Sequence, residues 1–172
     1  FAVAAWKWPS YFSPEAKLKG IKLNVSRWKR PNPNTAPVNT KAAGLYMICT
    51  LSKHEAESLG YDDSLMLDYR DYIAEATGAN IFFVKENEIH TPIADCFLDG
   101  ITRQTVIQIA KEEGIKVLEK RLTLNDIGAY DECFVTGTAA EVTPVKSINQ
   151  IEFRPGNYCK LLIEKYTKLT LS

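Results

Sequence analysis

Four short segments hold residue types from which chemistry can be built. Lys41 stands at the start of a helix-forming stretch, directly after the Pro-rich loop 30–39. A lysine at a helix start faces the positive end of the helix dipole, which favours the neutral amine that attacks a carbonyl. Glu75 lies among small residues, just before the apolar run 81–84, where a carboxylate could face a pocket. Leu98-Asp99-Gly100-Ile101-Thr102-Arg103-Gln104-Thr105 enters a helix through Gly100. Free amides at that start, with the Thr102 hydroxyl, make a ready anion site. Gly137-Thr138-Ala139-Ala140 sits between two apolar strands, where small side chains admit a ligand and consecutive amides can form an anion nest. Singly, each has an ordinary explanation: an exposed lysine, a solvated glutamate, a capped helix, a tight hairpin.

Together they are the parts that pyridoxal 5′-phosphate (PLP) requires. An amine forms the Schiff base, an acid keeps the pyridine nitrogen protonated so that the ring accepts electrons, and a helix start holds the phosphate. No metal is expected. The cysteines Cys49, Cys96, Cys133 and Cys159 are far apart and lack a C-x-x-C pair, and the only histidines are His54 and His90. Their apolar neighbours point to buried thiols in a reducing, cytoplasmic setting.

These segments need a frame to converge. The chain has 172 residues, 45% apolar and 24% charged, which suits one folded domain. Lys+Arg and Asp+Glu are 21 each, so no basic excess argues for nucleic acid. No apolar stretch reaches the ~18–20 residues of a membrane span, and no signal peptide is expected. Strands are expected at 1–6, 21–25, 64–67, 81–85, 115–122, 132–136 and 141–148. Helices are expected at 41–59, 101–113, 124–130 and 158–169, and a turn or short helix start at Ser13-Pro14. The first long helix would bury Leu45, Ile48, Cys49, Ala56 and Leu59, with Asn39 or Thr40 as its cap and Gly60 at its end. Strands outnumber helices and do not alternate with them, which argues for an α+β fold with a barrel-like mixed β core flanked by helices.

The ordered motifs Asn39-Thr40-Lys41-Ala42-Ala43-Gly44-Leu45-Tyr46, Ala74-Glu75-Ala76-Thr77-Gly78-Ala79-Asn80-Ile81-Phe82, Leu98–Thr105 as quoted, and Gly137-Thr138-Ala139-Ala140-Glu141-Val142-Thr143-Pro144 resemble the large domain of the class IV, fold-type IV PLP enzymes, specifically branched-chain-amino-acid aminotransferases. The resemblance runs from about residue 4 to residue 148. It implies that Lys41 holds PLP and serves as the general base. Tyr46 matches the tyrosine beside the cofactor's phenolic oxygen, and Glu75 the acid on the pyridine nitrogen, supported by Asn80. Leu98 matches the residue packed on the ring. Gly100, Ile101 and Thr102 match the phosphate-binding helix start, with Gly137 and Thr138 adding a further phosphate contact. Thr138 and the backbone of Ala139 and Ala140 match the turn that receives the substrate carboxylate. Trp8, Tyr11 and Tyr46 match aromatic positions of the substrate pocket, whose apolar walls suit a branched side chain.

By the same resemblance, the activity is transamination of Leu, Ile or Val with 2-oxoglutarate, giving branched 2-oxo acids and glutamate. D-amino-acid aminotransferases and aminodeoxychorismate lyases share the fold, and the turn 137–141 favours the branched-chain group. Partners are small amino and oxo acids, and the expected assembly is a homodimer or a higher homo-oligomer. Residues 1–172 correspond to one large C-terminal PLP-binding domain. The family's small N-terminal domain, with its phosphate-binding arginine, is absent from this chain. A chain that opens at Phe1, inside an apolar run and without an initiator Met, reads as a fragment, and a fragment without that domain could be non-catalytic.

Overall fold

The computed structural model describes residues 2–6, 12 and 19–171. Strands β1 (Ile21–Arg30), β2 (Asp63–Asp68), β3 (Ile73–Ala76), β4 (Asn80–Lys85), β7 (Glu132–Gly137) and β8 (Glu141–Ile148) form the central sheet. Their order is β3-β2-β1-β8-β7-β4, and the additional β3–β4 pairing closes the sheet on itself. β1 runs parallel to both β2 and β8, with Val25 opposite Leu65 and Leu23 opposite Ile148, while the remaining barrel pairs are antiparallel. β5 (Glu88–Thr91) and β6 (Lys116–Glu119) extend the sheet beyond β4, and β9 (Ile151–Glu152) pairs with β8. This is the expected barrel-like mixed core with flanking helices.

The apolar runs explain the closure. β4 reads Asn-Ile-Phe-Phe-Val-Lys and is buried through Val84. Ile81 and Phe83 join the interior cluster with Leu23, Leu65, Val135 and Val145. Phe82 and Val84 join a second cluster on the other face. That face is covered by α2 (Ile101–Glu112), through Val106 and Ile109, and by α3 (Asn157–Leu171), through Cys159 and Leu162. Phe82 and Phe134 stack between these layers at 4.9 Å and 5°. A strand buried on both faces reads as a continuous apolar run rather than an alternating one.

Several expectations change. Residues 2–6 form no strand and are exposed, because no neighbouring strand pairs with them among the described residues. The turn expected at Ser13-Pro14 lies outside the described residues. The helix expected from residue 41 begins as a 3-10 turn, Ala43–Leu45, and becomes α1 only at Tyr46–Ser58. Neither Asn39 nor Thr40 caps it; the Thr40 hydroxyl donates instead to the Pro37 carbonyl at 2.8 Å. α1 buries Cys49, Ser52 and Ala56, whereas Leu59 is exposed. The expected helix 124–130 shrinks to the 3-10 turn Ile127–Ala129. β3, β5 and β9 were not expected, since each is four residues or fewer and too short to show a period of its own.

The last helix is anchored from afar. Glu132 of β7 is buried, and its carboxylate accepts the amides of Tyr158 at 3.3 Å and Cys159 at 2.9 Å. It supplies to α3 the cap and the negative charge that a helix start favours. Gly156 lies so close to this carboxylate that any side chain there would collide with it. Glu132→Ala should lower unfolding free energy by about 1–3 kcal/mol, because the buried Cys159 amide and the part-buried Tyr158 amide lose their acceptor. Glu132→Gln keeps one of the two acceptor oxygens, enough for the closer Cys159 amide but not for both, and should lose less. Urea denaturation of both variants tests this, and equal losses would refute the capping role.

Candidate active site

A cavity of about 390 Å³ opens at one end of the barrel. Its wall comes from the last residue of β1, the start of α1, the β3–β4 turn, the loop leading into α2 and the β7–β8 turn. Eleven of the residues singled out from sequence line it: Lys41, Tyr46, Glu75, Asn80, Leu98, Gly100, Ile101, Thr102, Gly137, Thr138 and Ala139. Ala140 does not. It is buried in the interior cluster, and its carbonyl accepts the Thr143 hydroxyl at 2.6 Å. Trp8 and Tyr11 lie outside the described residues.

Lys41 precedes the 3-10 turn and is not helical, so it does not sit at the helix-dipole position expected for it. Its neighbour is instead Tyr46, whose hydroxyl oxygen accepts from Lys41 Nζ at 3.4 Å. The turn Ala43–Leu45 brings these two side chains together across five residues.

Opposite in character is Glu75 of β3, which is buried. Arg30 Nε lies 3.3 Å from Glu75 Oε1, and Asn80 Nδ2 donates to Oε2 at 3.5 Å. Burial pushes the Glu75 carboxyl up to about 8, with Arg30 and then Lys41 pulling in the other direction. Ion pairing and burial thus oppose each other here. Burial prevails because the Arg30 Nε contact is close but poorly aligned for a hydrogen bond. Arg30 directs its other donors to the Val38 carbonyl at 3.2 Å and Cys49 Sγ at 3.7 Å.

The far side of the cavity is rich in amides. Gly100 is the N-cap of α2 and offers no side-chain cap. Among the described residues the amides of Ile101 and Thr102 therefore have no acceptor, as expected for a helix start that faces a ligand. Asn80 holds this segment in place. Its Nδ2 donates to the Leu98 carbonyl at 2.9 Å and its Oδ1 accepts the Gly100 amide at 3.2 Å. Gly100 has an ordinary negative φ; a side chain is excluded because its β-carbon would strike Asn80 Oδ1. The turn 138–140 joins antiparallel β7 and β8, so the ordinary hairpin and the cavity wall are the same feature.

Sequence reasoning missed Arg30, Cys49, Thr77 and Thr136, which also line the cavity. Arg30 ends a strand, where a buried cation carries no periodic signature. Thr77 donates to buried Asp63 at 2.5 Å, a contact between β2 and the β3–β4 turn that no local motif announces. Thr136 Oγ1 is buried without a partner among the described residues.

The donor set fits PLP. One primary amine, one buried acid and an uncapped helix start face a single cavity, which lies within the ~300–1,000 Å³ range of cofactor pockets. A helix-flanked mixed barrel with this site at its mouth defines a class, the fold-type IV aminotransferases. Residues 2–148 match the class IV amino-transferase family, and the chain belongs to that family.

Its relatives are close. A probable branched-chain-amino-acid aminotransferase of Rickettsia bellii (strain RML369-C) is 50% identical over 160 residues, which is 91% of this chain and 55% of that protein. The crystal structure of a branched-chain aminotransferase from the archaeon Thermoproteus uzoniensis with norvaline superposes with TM-score 0.92 at 37% identity, covering 98% of this chain and 56% of that one. The T.th. branched-chain amino acid aminotransferase with pyridoxamine 5′-phosphate gives TM-score 0.89 at 40% identity, covering 95% and 54%. The chain spans about half the length of the curated relatives it matches.

Proposed function

We propose that this chain is the large, PLP-binding domain of an enzyme that transaminates branched-chain L-amino acids with 2-oxoglutarate. The observation that carries the reading is the convergence of Lys41, Tyr46, Glu75 and the uncapped start of α2 on one cavity. The likeness to structures with norvaline and with pyridoxamine 5′-phosphate supports the substrate class and the cofactor.

The cofactor supplies an electron sink that stabilises negative charge developing at the substrate's Cα. Lys41 Nζ is the amine that would hold the cofactor. The same Nζ would move the proton at the substrate's Cα. Tyr46, already in contact with Nζ, keeps that amine directed and would have its hydroxyl hydrogen left to donate to the cofactor. Glu75 presents a carboxyl that retains its proton near neutral pH, which is where a ring nitrogen needs one. Asn80 orients Glu75 and the Leu98–Gly100 backbone together. The amides of Ile101 and Thr102, with the Thr102 and Thr138 hydroxyls, would hold the phosphate. Ala139 lines the position for the substrate carboxylate.

The remaining half of the protein would complete the pocket, and the working unit would be a homodimer or a larger homo-oligomer. A cytoplasmic setting is in keeping with four free cysteines and with the absence, among the described residues, of any helix long and apolar enough to cross a membrane.

The complete protein with PLP, leucine and 2-oxoglutarate should yield glutamate and the branched 2-oxo acid. Turnover of D-alanine without leucine turnover would overturn the branched-chain assignment. Release of pyruvate from aminodeoxychorismate would replace it with a lyase.

A further inference from the structure

Arg103 is the largest fully buried side chain among the described residues, 1% exposed in the first turn of α2. Its guanidinium holds three pieces of chain. Nη1 donates to Asp99 Oδ1 at 2.6 Å, and Nη2 donates to Glu119 Oε2 at 2.6 Å and to the Pro92 carbonyl at 2.9 Å. Pro92 and Asp99 mark the beginning and the end of the loop that delivers Leu98 and Gly100 to the cavity, and Glu119 ends β6. Asp99 is held a second time by Gln104, whose Nε2 donates to Oδ2 at 3.1 Å.

This placement is poor for stability alone. A cation in the first turn opposes the helix dipole. A buried charge is costly, and an apolar side chain of similar volume often serves a core equally well. Both penalties become advantages at an anion site. The loop segment is gripped from the cavity side by Asn80 and from behind by Arg103, so the amides between the two grips cannot turn away.

We propose that Arg103 is a positioning residue for the phosphate end of the site, fixing the amides of Ile101 and Thr102 through its planar fork. The proposal rests on the PLP reading above and deepens it. Arg103 does not line the cavity and is not a catalytic residue. Its effect should therefore be confined to ligands that carry the phosphate.

The test compares PLP with pyridoxal, which lacks the phosphate, by absorbance titration of the complete protein. Arg103→Met should weaken PLP binding by about tenfold or more while pyridoxal binding changes less than about twofold. Arg103→Lys should behave similarly, since a single ammonium cannot span the three acceptors. Glu119→Gln, at the half-exposed edge of the cluster, is the milder variant should Arg103→Met fail to fold, and it should shift the same ratio to a smaller extent. Equal loss of both ligands, loss of neither, or full rescue by Arg103→Lys would overturn the positioning role. Wild-type protein that binds neither ligand would overturn the functional reading, and the positioning role with it.

Discussion

Lys41→Ala should abolish transamination by the complete protein, with a loss of at least about 10³–10⁴-fold in kcat. The size follows from two tasks resting on one atom. On the proposed reading Nζ would both tether the cofactor and move the Cα proton, and among the described residues no second lysine lines the cavity to replace it. The fold should be indifferent. Lys41 is exposed, belongs to no helix or strand, and its one hydrogen bond, to Tyr46, is long. Unfolding free energy should therefore stay within about 0.5 kcal/mol of the wild type. The visible absorbance of bound PLP should also lose the band that depends on covalent attachment. A Lys41→Ala protein that keeps both the band and turnover would remove the lysine from the mechanism. Tyr46→Phe leaves the amine in place and should cost far less, since only the aim of Nζ and one hydroxyl hydrogen are lost.

What could be read in the chain before its fold was known divides along physical lines. The long apolar strands and amphipathic helices were legible, because burial imposes a period on local sequence. Residues 81–85, 132–136 and 141–148 fall within a residue or so of the observed strands, as does 101–113 of α2. β3 and β5 were not, because four residues are too few to display a period, even where the strand pairs with its neighbour in sequence. The same distinction separates the site residues. Gly100 and Gly137 are marked by their type, since small residues are needed where chain meets chain or ligand. Arg30 and Asp63 are polar residues inside strands, and only the side-by-side packing of β1, β2 and β3 brings them to Glu75 and to Thr77. Lys41 shows how a right location can rest on a wrong reason. Its segment was expected to begin a helix, yet the backbone there is irregular, and the tyrosine five residues on, rather than a dipole, is its neighbour.

Glu75 carries the second large effect, and its pH dependence is the more discriminating test. In the unliganded protein burial raises the carboxyl from its ordinary 4.5 to about 8, against the pull of Arg30 and Lys41. Between these values the folded state binds a proton that the unfolded state has released. Stability from this group is therefore fully present below about 4.5 and is lost as pH rises through about 8. The slope is at most about 1.4 kcal/mol per pH unit. Glu75→Gln has no such proton and should lack this component, so urea denaturation across pH 5–8 should give a flatter profile for the variant than for the wild type. Parallel profiles would show that the wild-type carboxyl is already ionised and paired with Arg30. The same proton links stability to chemistry. A pyridine nitrogen that accepts it should flatten the wild-type profile when the site is occupied, because the carboxylate then gains a cationic neighbour and no longer resists ionisation. Without that exchange the electron sink is weak. Glu75→Gln should retain PLP through Lys41 and the phosphate amides and yet lose about 10²–10⁴-fold in kcat, the order expected when a positioned proton-holding group is removed. Retention of near-wild-type kcat would show that the ring nitrogen needs no acid in this site, leaving Glu75 a structural partner of Arg30 alone.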